Sequence, residues 1–431
     1  MTSNVPSPAP RTSWTGWTPA GGYPLPPALS SADPRAAFIL NLGRALHTSG
    51  YSAPRLEEVL VLASDRLGLT GQFFSTPTSI MASFGPQDDQ RTFMIRVEPG
   101  ESDLGKLARV DQVTRDVLGG RLTPAEGNAA IATIESMAPP YGTLFTTLAF
   151  GIASGSAARF LGGGAWEVGT GLLIGLLIGV LAIGAGRNPG IGRVFEPVAA
   201  FTASAIAALV ASAGAAGSVR LATLAGVIIV IPGLTLTTAM TELSTRHLAS
   251  GTARLMGALV LLVSITFGIA FGTKAVTLMF GAIPVHEPVG LPPWTLVAAL
   301  ITTPLAFVVL LKAEARDAPW IVLAGALAFG GARLGSEWLG PELGAFGGAL
   351  LTGMGSQWYS RIRNRPSQIT LVPGLLLLVP GSIGLRSLTS MMDRDVLLGV
   401  EGVFRMALIA VSLVSGILIA RIVSPRRQLM E

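Results

Sequence analysis

Two apolar stretches break at Pro-Gly and then turn polar. One is VIIVIPGLTLTTAMTELSTRHLASG, from Val227; the other is LLLLVPGSIGLRSLTSMMDRDVLLG, from Leu375. A proline inside a helix removes one backbone hydrogen bond and obstructs another, which frees carbonyls. In hydrocarbon such groups must be buried in protein or face a watery cavity. Pro232, Gly233, Thr235 and Thr238 in the first stretch are therefore candidate substrate-binding residues, as are Pro380, Gly381, Ser382 and Arg386 in the second. Hydroxyls and unpaired backbone groups suit a small zwitterion or carboxylate, with Arg386 as the group that would hold the carboxylate. Thr237 and Ser387 lie around the breaks with them and could contribute in the same way; the competing reading is a pair of structural kinks whose hydroxyls bond their own helices.

Ionisable residues within or beside apolar runs form a second class. Glu401 and Arg405 stand one helical turn apart, and Arg405 lies roughly 15 Å into its run. A lone charge at that depth is costly and should face a cavity or a partner. The i, i+4 spacing allows Glu401 to be that partner. The two are either a self-neutralising pair or a relay for anions or protons, with Glu401 the leading proton carrier. Glu242 follows the first break and joins Glu401 and Arg405 as a candidate for ion coupling. His247, nearby, either titrates near neutral pH and couples protons or is a solvated loop histidine. Arg254 reads as a side chain that snorkels to the interface. His47 and His286 are isolated, without metal-ligand spacing.

These residues are positioned by a repeat. Aligned without a gap at a spacing of 148, Pro232 falls on Pro380, Gly233 on Gly381, Thr241 on Thr389, Arg246 on Arg394 and Gly251 on Gly399. Broken hydrophobic segments in matching positions of two halves point to a transporter's binding site. Composition agrees with a membrane protein. Half of the 431 residues are apolar and 13% are charged, against roughly a quarter charged in soluble chains. The 53 glycines fall mostly inside apolar runs at spacings such as Gly171, Gly175 and Gly179, which lets helices approach closely. Cysteine is absent, which excludes disulfides, thiolate metal sites and cysteine nucleophiles.

Residues 1–30 carry seven prolines among them and no acidic residue. They lack a signal-peptide core and read as a disordered Pro-rich tail. Residues 31–140 read as a small α+β domain. Asp33-Pro34 opens a first helix and Ser52 with Pro54 a second. Phe73 to Phe84 and Arg91 to Glu98 read as two strands, Ser102 caps a third helix, and Thr123 to Glu126 is a capping box for a fourth. Asp65, Asp103 and Asp111 fit solvated helix faces. From Tyr141 the chain contains ten apolar runs of spanning length: 141–161, 166–185, 194–214, 219–240, 252–273, 294–312, 318–338, 341–360, 369–389 and 396–421.

Loop charge sets orientation. Arg187, Arg193, Arg246, Lys312, Arg316, Arg361, Arg363, Arg365, Arg421, Arg426 and Arg427 fall on one side, which should be cytoplasmic together with both termini. The net charge of +5 thus reads as membrane orientation rather than nucleic-acid binding. Five runs precede the polar stretch at 283–293 and five follow it. An odd number inverts the second copy. The expected fold is mainly α: a polytopic membrane protein of about ten transmembrane helices in two inverted five-helix repeats, 141–282 and 283–431, preceded by the cytoplasmic α+β domain. Gly186 to Gly190 is a basic loop and no phosphate loop, since no Lys-Ser/Thr follows. No protease or metal motif is present, so neither an enzyme nor a cofactor is expected.

The soluble stretches LGRALHTSGYSAPRLEEVLVLASDRLGL and SDLGKLARVDQVTRDVLGGRLTPAEG, with IPGLTLTTAMTELSTRHLASGTARL and LVPGLLLLVPGSIGLRSL, resemble the threonine/serine exporter family over residues 35 to 423. The resemblance implies a cytoplasmic domain followed by ten spans in two halves, and proton-driven export of small hydroxylated amino acids. Relatives built from separate halves are associated with dicarboxylate export. PGLTLTTA is more hydroxylated than the family pattern, and His247 departs from it. The expected partners are a small amino acid or carboxylate, protons and the bilayer of a prokaryotic inner membrane, with a homo-oligomer allowed. A succinate-like dicarboxylate exporter and a passive facilitator or channel are the alternatives.

Overall fold

The computed structural model describes residues 33–423 apart from positions 87, 99, 101, 215, 216, 285, 380, 393 and 394. The Pro-rich stretch at 1–30, Pro380 and Arg394 lie outside the described residues.

The N-terminal part has helices α1 (Pro34–Thr48), α2 (Ala53–Arg66), α3 (Leu104–Leu118) and α4 (Pro124–Ser136), with strands β1 (Gly71–Thr76), β2 (Ser79–Phe84) and β3 (Arg91–Arg96). The Asp33 carboxylate caps α1 by accepting the Arg35 N–H at 2.9 Å, and Thr123 with Glu126 forms the capping box of α4. The cap of α3 is Asp103, which accepts the Lys106 N–H at 2.8 Å, and not Ser102. A carboxylate accepts as well as a hydroxyl there and adds charge favourable to the helix N-terminus. The expected first strand is a hairpin. It reverses at Pro77-Thr78, so that Thr76 faces Ser79 across an antiparallel pair, and β2 then pairs antiparallel with β3. Pro77 presets a turn and has no N–H for a ladder.

One apolar core holds this part together, from Phe38, Leu42, Leu46, Leu56, Leu60 and Ile80 to Leu107. It continues into Val308, Ala313 and Ile321 of the C-terminal half. The Leu104 N–H donates to the Leu311 carbonyl at 3.0 Å, and the Tyr141 hydroxyl to the Ala313 carbonyl at 2.6 Å.

The remaining helices are α5 (Thr143–Phe160), α6 (Ala165–Arg187), the single turn α7 (Pro189–Gly192), α8 (Phe195–Ser212), α9 (Val219–Gly226), α10 (Gly233–Ser244), α11 (Leu248–Phe280), α12 (Trp294–Leu310), α13 (Ala318–Leu339), α14 (Pro341–Arg363), α15 (Gln368–Leu376), α16 (Gly381–Met392) and α17 (Val396–Val423). Among the described residues six segments are long and apolar enough to cross a membrane: Ala165–Arg187, Phe195–Ser212, Leu248–Phe280, Ala315–Trp338, Gln368–Met392 and Val396–Val423. The other expected runs also hold helices. Of these, α12 has only 17 residues, and the run at 219–240 is divided into α9 and α10.

Small residues set the close pairings. A Cβ on Gly175 of α6 would lie 2.5 Å from the Phe150 carbonyl of α5, and one on Gly179 would lie 3.0 Å from the Thr147 Cα. Gly268 and Gly272 of α11 lie on Ala200 and Ser204 of α8, and Gly331 and Gly335 of α13 on Gly347 and Gly344 of α14. The pairings recur: α8 packs on α11 as α14 packs on α17, α10 on α11 as α16 on α17, and α6 on α9 as α13 on α15. Across the halves, α10 touches α17 while α11 touches α16.

The helix ends gather on two faces. One carries the N-terminal part, which meets the chain at Glu242, His247, Leu311 and Glu314. On the other, Arg159 bonds the Thr295 hydroxyl at 2.6 Å, and the buried Glu167 accepts the Gly164 and Ser218 N–H groups at 2.8 and 2.7 Å. Left-handed corners on the first face are Arg246, Lys312 and Asn364, with φ of 65°, 53° and 51°. On the opposite face Gly162, Gly214, Gly281 and Gly340 take that conformation.

Candidate functional site

The first break begins where α9 ends. The Val230 and Ile231 N–H groups both turn back to the Val227 carbonyl, at 2.9 and 3.2 Å, and Gly233 N–H bonds Ile231 O at 2.7 Å. Pro232, with no N–H to give, then starts α10, and its carbonyl accepts from Leu236 at 3.0 Å. In the second copy, α15 ends in turns from Leu377 to Gly374 and from Leu378 to Leu375, and α16 opens at Gly381.

The two breaks meet. A Cβ on Gly381 would lie 2.5 Å from an Ile231 methyl and 3.3 Å from the Gly233 Cα, and one on Gly233 would run into Val379. Ile231 and Val379 occupy matching positions in the two copies. Each glycine is thus filled by the residue two places before the other. The same correspondence holds at the far ends. Gly251 abuts Leu243, and Gly399 abuts Met391, again matching positions.

The hydroxyls divide into two sets. Thr237 donates to the Gly233 carbonyl at 3.1 Å and Ser387 to the Ile383 carbonyl at 2.7 Å, so both are satisfied within their helices. Thr235, Thr238 and Ser382 are half-buried and make no hydrogen bond among the described residues. Arg386 has no hydrogen-bond or ion-pair partner among the described residues, and its nearest electrostatic neighbour is another cation, Arg220, at the start of α9. In the sequence Arg220 is only a charge at the start of an apolar run. Its approach to Arg386 depends on how α9 lies against the second half.

The expected Glu401–Arg405 pair does not form. Arg405 bonds Glu342 in the first turn of α14, Nε at 2.7 Å and Nη2 at 2.6 Å. Helical side chains lean toward the N-terminus of their helix, and the long arginine leans far enough to reach α14. Glu401 is left exposed, with no partner among the described residues.

Glu242 is fully buried and meets three donors. It accepts the Ala53 N–H at 2.9 Å, the Ser250 hydroxyl at 2.8 Å and Arg254 Nε at 3.0 Å. Arg254 therefore does not snorkel, because a buried carboxylate holds it. The geometry ties three elements together: the start of α2, the end of α10 and the first turns of α11. His247 is no solvated loop residue either. Its Nε2 lies 3.3 Å from Glu57, which also accepts the Ser75 N–H at 2.7 Å. His47 is buried beneath this contact and faces the Thr76 carbonyl at 3.1 Å. Burial, and then the Arg254 charge, pull its pKa down to about 4. Asp111, expected on a solvated face, is fully buried beside Arg115, and burial pushes it up to about 7. No group of three or more metal-ligating residues occurs among the described residues.

A model for threonine/serine exporters matches residues 37–276, and a second threonine/serine exporter model matches 295–423. The chain belongs to the threonine/serine exporter family. It is a multi-pass membrane protein. The gap between the two matches runs from the last turn of α11 to the first residue of α12. Among curated proteins the chain is similar to pheromone-regulated membrane protein 10 of Eremothecium gossypii, 26% identical over 82% of this chain and 49% of that protein. It resembles the Saccharomyces cerevisiae protein of the same name at 26% over 81% and 46%. An uncharacterized Schizosaccharomyces pombe protein is 22% identical over 82% and 44%. The chain thus spans about half the length of these relatives. No solved structure matches.

Proposed function

We propose that this protein is a proton-coupled secondary exporter of small hydroxylated amino acids, threonine and serine first, working by alternating access where the two broken helices meet. The observation that carries the reading is the reciprocal packing of Gly233 on Val379 and of Gly381 on Ile231. Two breaks in contact form one shared midplane locus, as inverted repeats require. The recurring pairings support five-helix repeats, α5, α6, α8, α9–α10, α11 against α12, α13, α14, α15–α16, α17. In this reading Arg386 holds the substrate carboxylate, and the unengaged hydroxyls of Thr235, Thr238 and Ser382 meet its polar groups. Glu401 carries the proton, Arg405 keeps Glu342 as counter-ion, and Glu242 anchors. Residues 31–140 act as a cytoplasmic domain on the basic face of a cell membrane.

The test is efflux from proteoliposomes loaded with threonine, serine or succinate under an imposed proton gradient. Uphill threonine or serine efflux that stops when the gradient is dissipated is expected. Equilibration without a gradient would replace the exporter with a facilitator. Arg386→Ala that transports normally would remove the assigned site. One observation favours a second substrate class: Arg220 beside Arg386 offers two guanidiniums, which suits a dicarboxylate. Succinate movement in place of threonine would decide for it.

A further inference from the structure

A cavity of 320 Å³ lies between α3 of the N-terminal part and two connections of the second half. Arg109 and Arg115 of α3, Arg316 of the α12–α13 connection, and Arg363 and Arg365 at the end of α14 line it, with Glu314 as the sole lining carboxylate. Glu314 cannot balance them. It already takes Arg316 at 2.5 Å, Arg365 at 2.6 Å and, loosely, Arg109 at 3.7 Å. Arg365 also reaches Asp317 at 2.5 Å, and Arg115 pairs with Asp111. With both of those acids counted, the arginines remain in excess. Arg363 makes no hydrogen bond or ion pair among the described residues, and the Arg115 Nε is buried without a hydrogen-bond partner.

Guanidinium forks match phosphate and carboxylate oxygens two at a time. The volume is in the range of small-ligand sites. We infer that this cavity is a phosphate-binding site, and that a bound phosphate bridges α3 to the second half and so fixes the N-terminal part against the transport helices. The phosphate comes either from a soluble phosphorylated metabolite or from the headgroup of an anionic lipid. Arg115 lines the cavity from α3 and Arg363 from the end of α14, one on each partner of the bridge.

The probe is pyrophosphate, titrated into the purified full chain in nanodiscs of neutral lipid, with chloride at matched ionic strength as control. Saturable binding and a rise in melting temperature are expected. Arg316→Gln/Arg363→Gln, both exposed positions, should weaken binding by about tenfold or more while leaving the ligand-free melting temperature unchanged. Nanodiscs containing phosphatidylglycerol distinguish the sources. If they abolish pyrophosphate binding, the lipid headgroup is the native ligand; if they leave it intact, a soluble phosphate is. Neither pyrophosphate nor phosphatidylglycerol stabilising the protein, or equal stabilisation of the double variant, would overturn the site. Binding is read without transport, so a protein that binds pyrophosphate yet moves no substrate refutes the exporter reading and not this one.

Discussion

The two broken hairpins, α10–α11 and α16–α17, share a backbone plan and almost none of their charge. At matching positions Glu242 aligns with Ser390, Arg254 with Gly402, Thr238 with Arg386 and Ala253 with Glu401. The first hairpin is locked at its outer end by the buried Glu242–Arg254 pair and tied to α2. The second carries an exposed Arg405–Glu342 contact at that end. What the repeat preserves is the crossing, where glycine is needed on both sides. What it divides is labour. One hairpin is an anchored wall, and the other presents a cation, Arg386, and an acid, Glu401, that have no ion-pair partner among the described residues.

That contrast is most easily broken at the crossing. Gly381→Leu places a branched side chain against Ile231 and the Gly233 backbone, and should abolish efflux while the protein still reaches the membrane. Efflux at the parent rate would mean that the breaks do not work together. Next is Glu242→Ala, which leaves Arg254 buried without its partner and should cost about 3 kcal/mol. Glu342→Ala, at the exposed pair, should move the melting temperature far less. Thermal unfolding of the two variants side by side checks the asymmetry, and equal losses would erase it.

Acid should act on the first hairpin through His47 of α1, which Arg254 of α11 influences. His47 takes a proton near its ordinary pKa of about 6.5 when unfolded, but not until about 4 when folded. Stability is therefore lost as pH falls from about 6.5 to about 4. His47→Gln should flatten that part of the melting-temperature profile, with Glu57, Glu242 and Arg254 left in place. The smallest effect is expected from Thr238→Ala and Ser382→Ala. Each removes one uncharged hydrogen bond worth about 1 kcal/mol, which should appear as a severalfold rise in KM for threonine with kcat retained.

The run lengths and the Pro-Gly breaks were legible because hydropathy and proline act locally. Each expected run holds helix, but spacing groups Thr237 and Ser387 with Thr235, Thr238 and Ser382 and does not show which of these hydroxyls bond their own helices. The ion pairs were not legible. Arg405 chooses a residue 63 positions away over one at i−4, and Glu242 takes a backbone donor 189 positions back. Nothing in the local pattern of Asp111 distinguishes a solvated face from the face that packs on the second half. The turn at Pro77 was hidden because the strands on either side of it are both apolar enough to read as one.

The corners Arg246, Lys312 and Asn364 have a consequence for biogenesis. Each holds a non-glycine residue in the left-handed region, at a cost of about 1 kcal/mol, where the opposite face uses glycine. Lys312→Gly would relax the folded backbone and also strip a positive charge from a connection whose charge orients the helices on insertion. Asn364 stands between Arg363 and Arg365 and belongs to the same arrangement. A membrane helix is oriented before it is packed. On the proposed orientation, these corners serve the chain at the insertion machinery, and the finished protein keeps them as a standing strain.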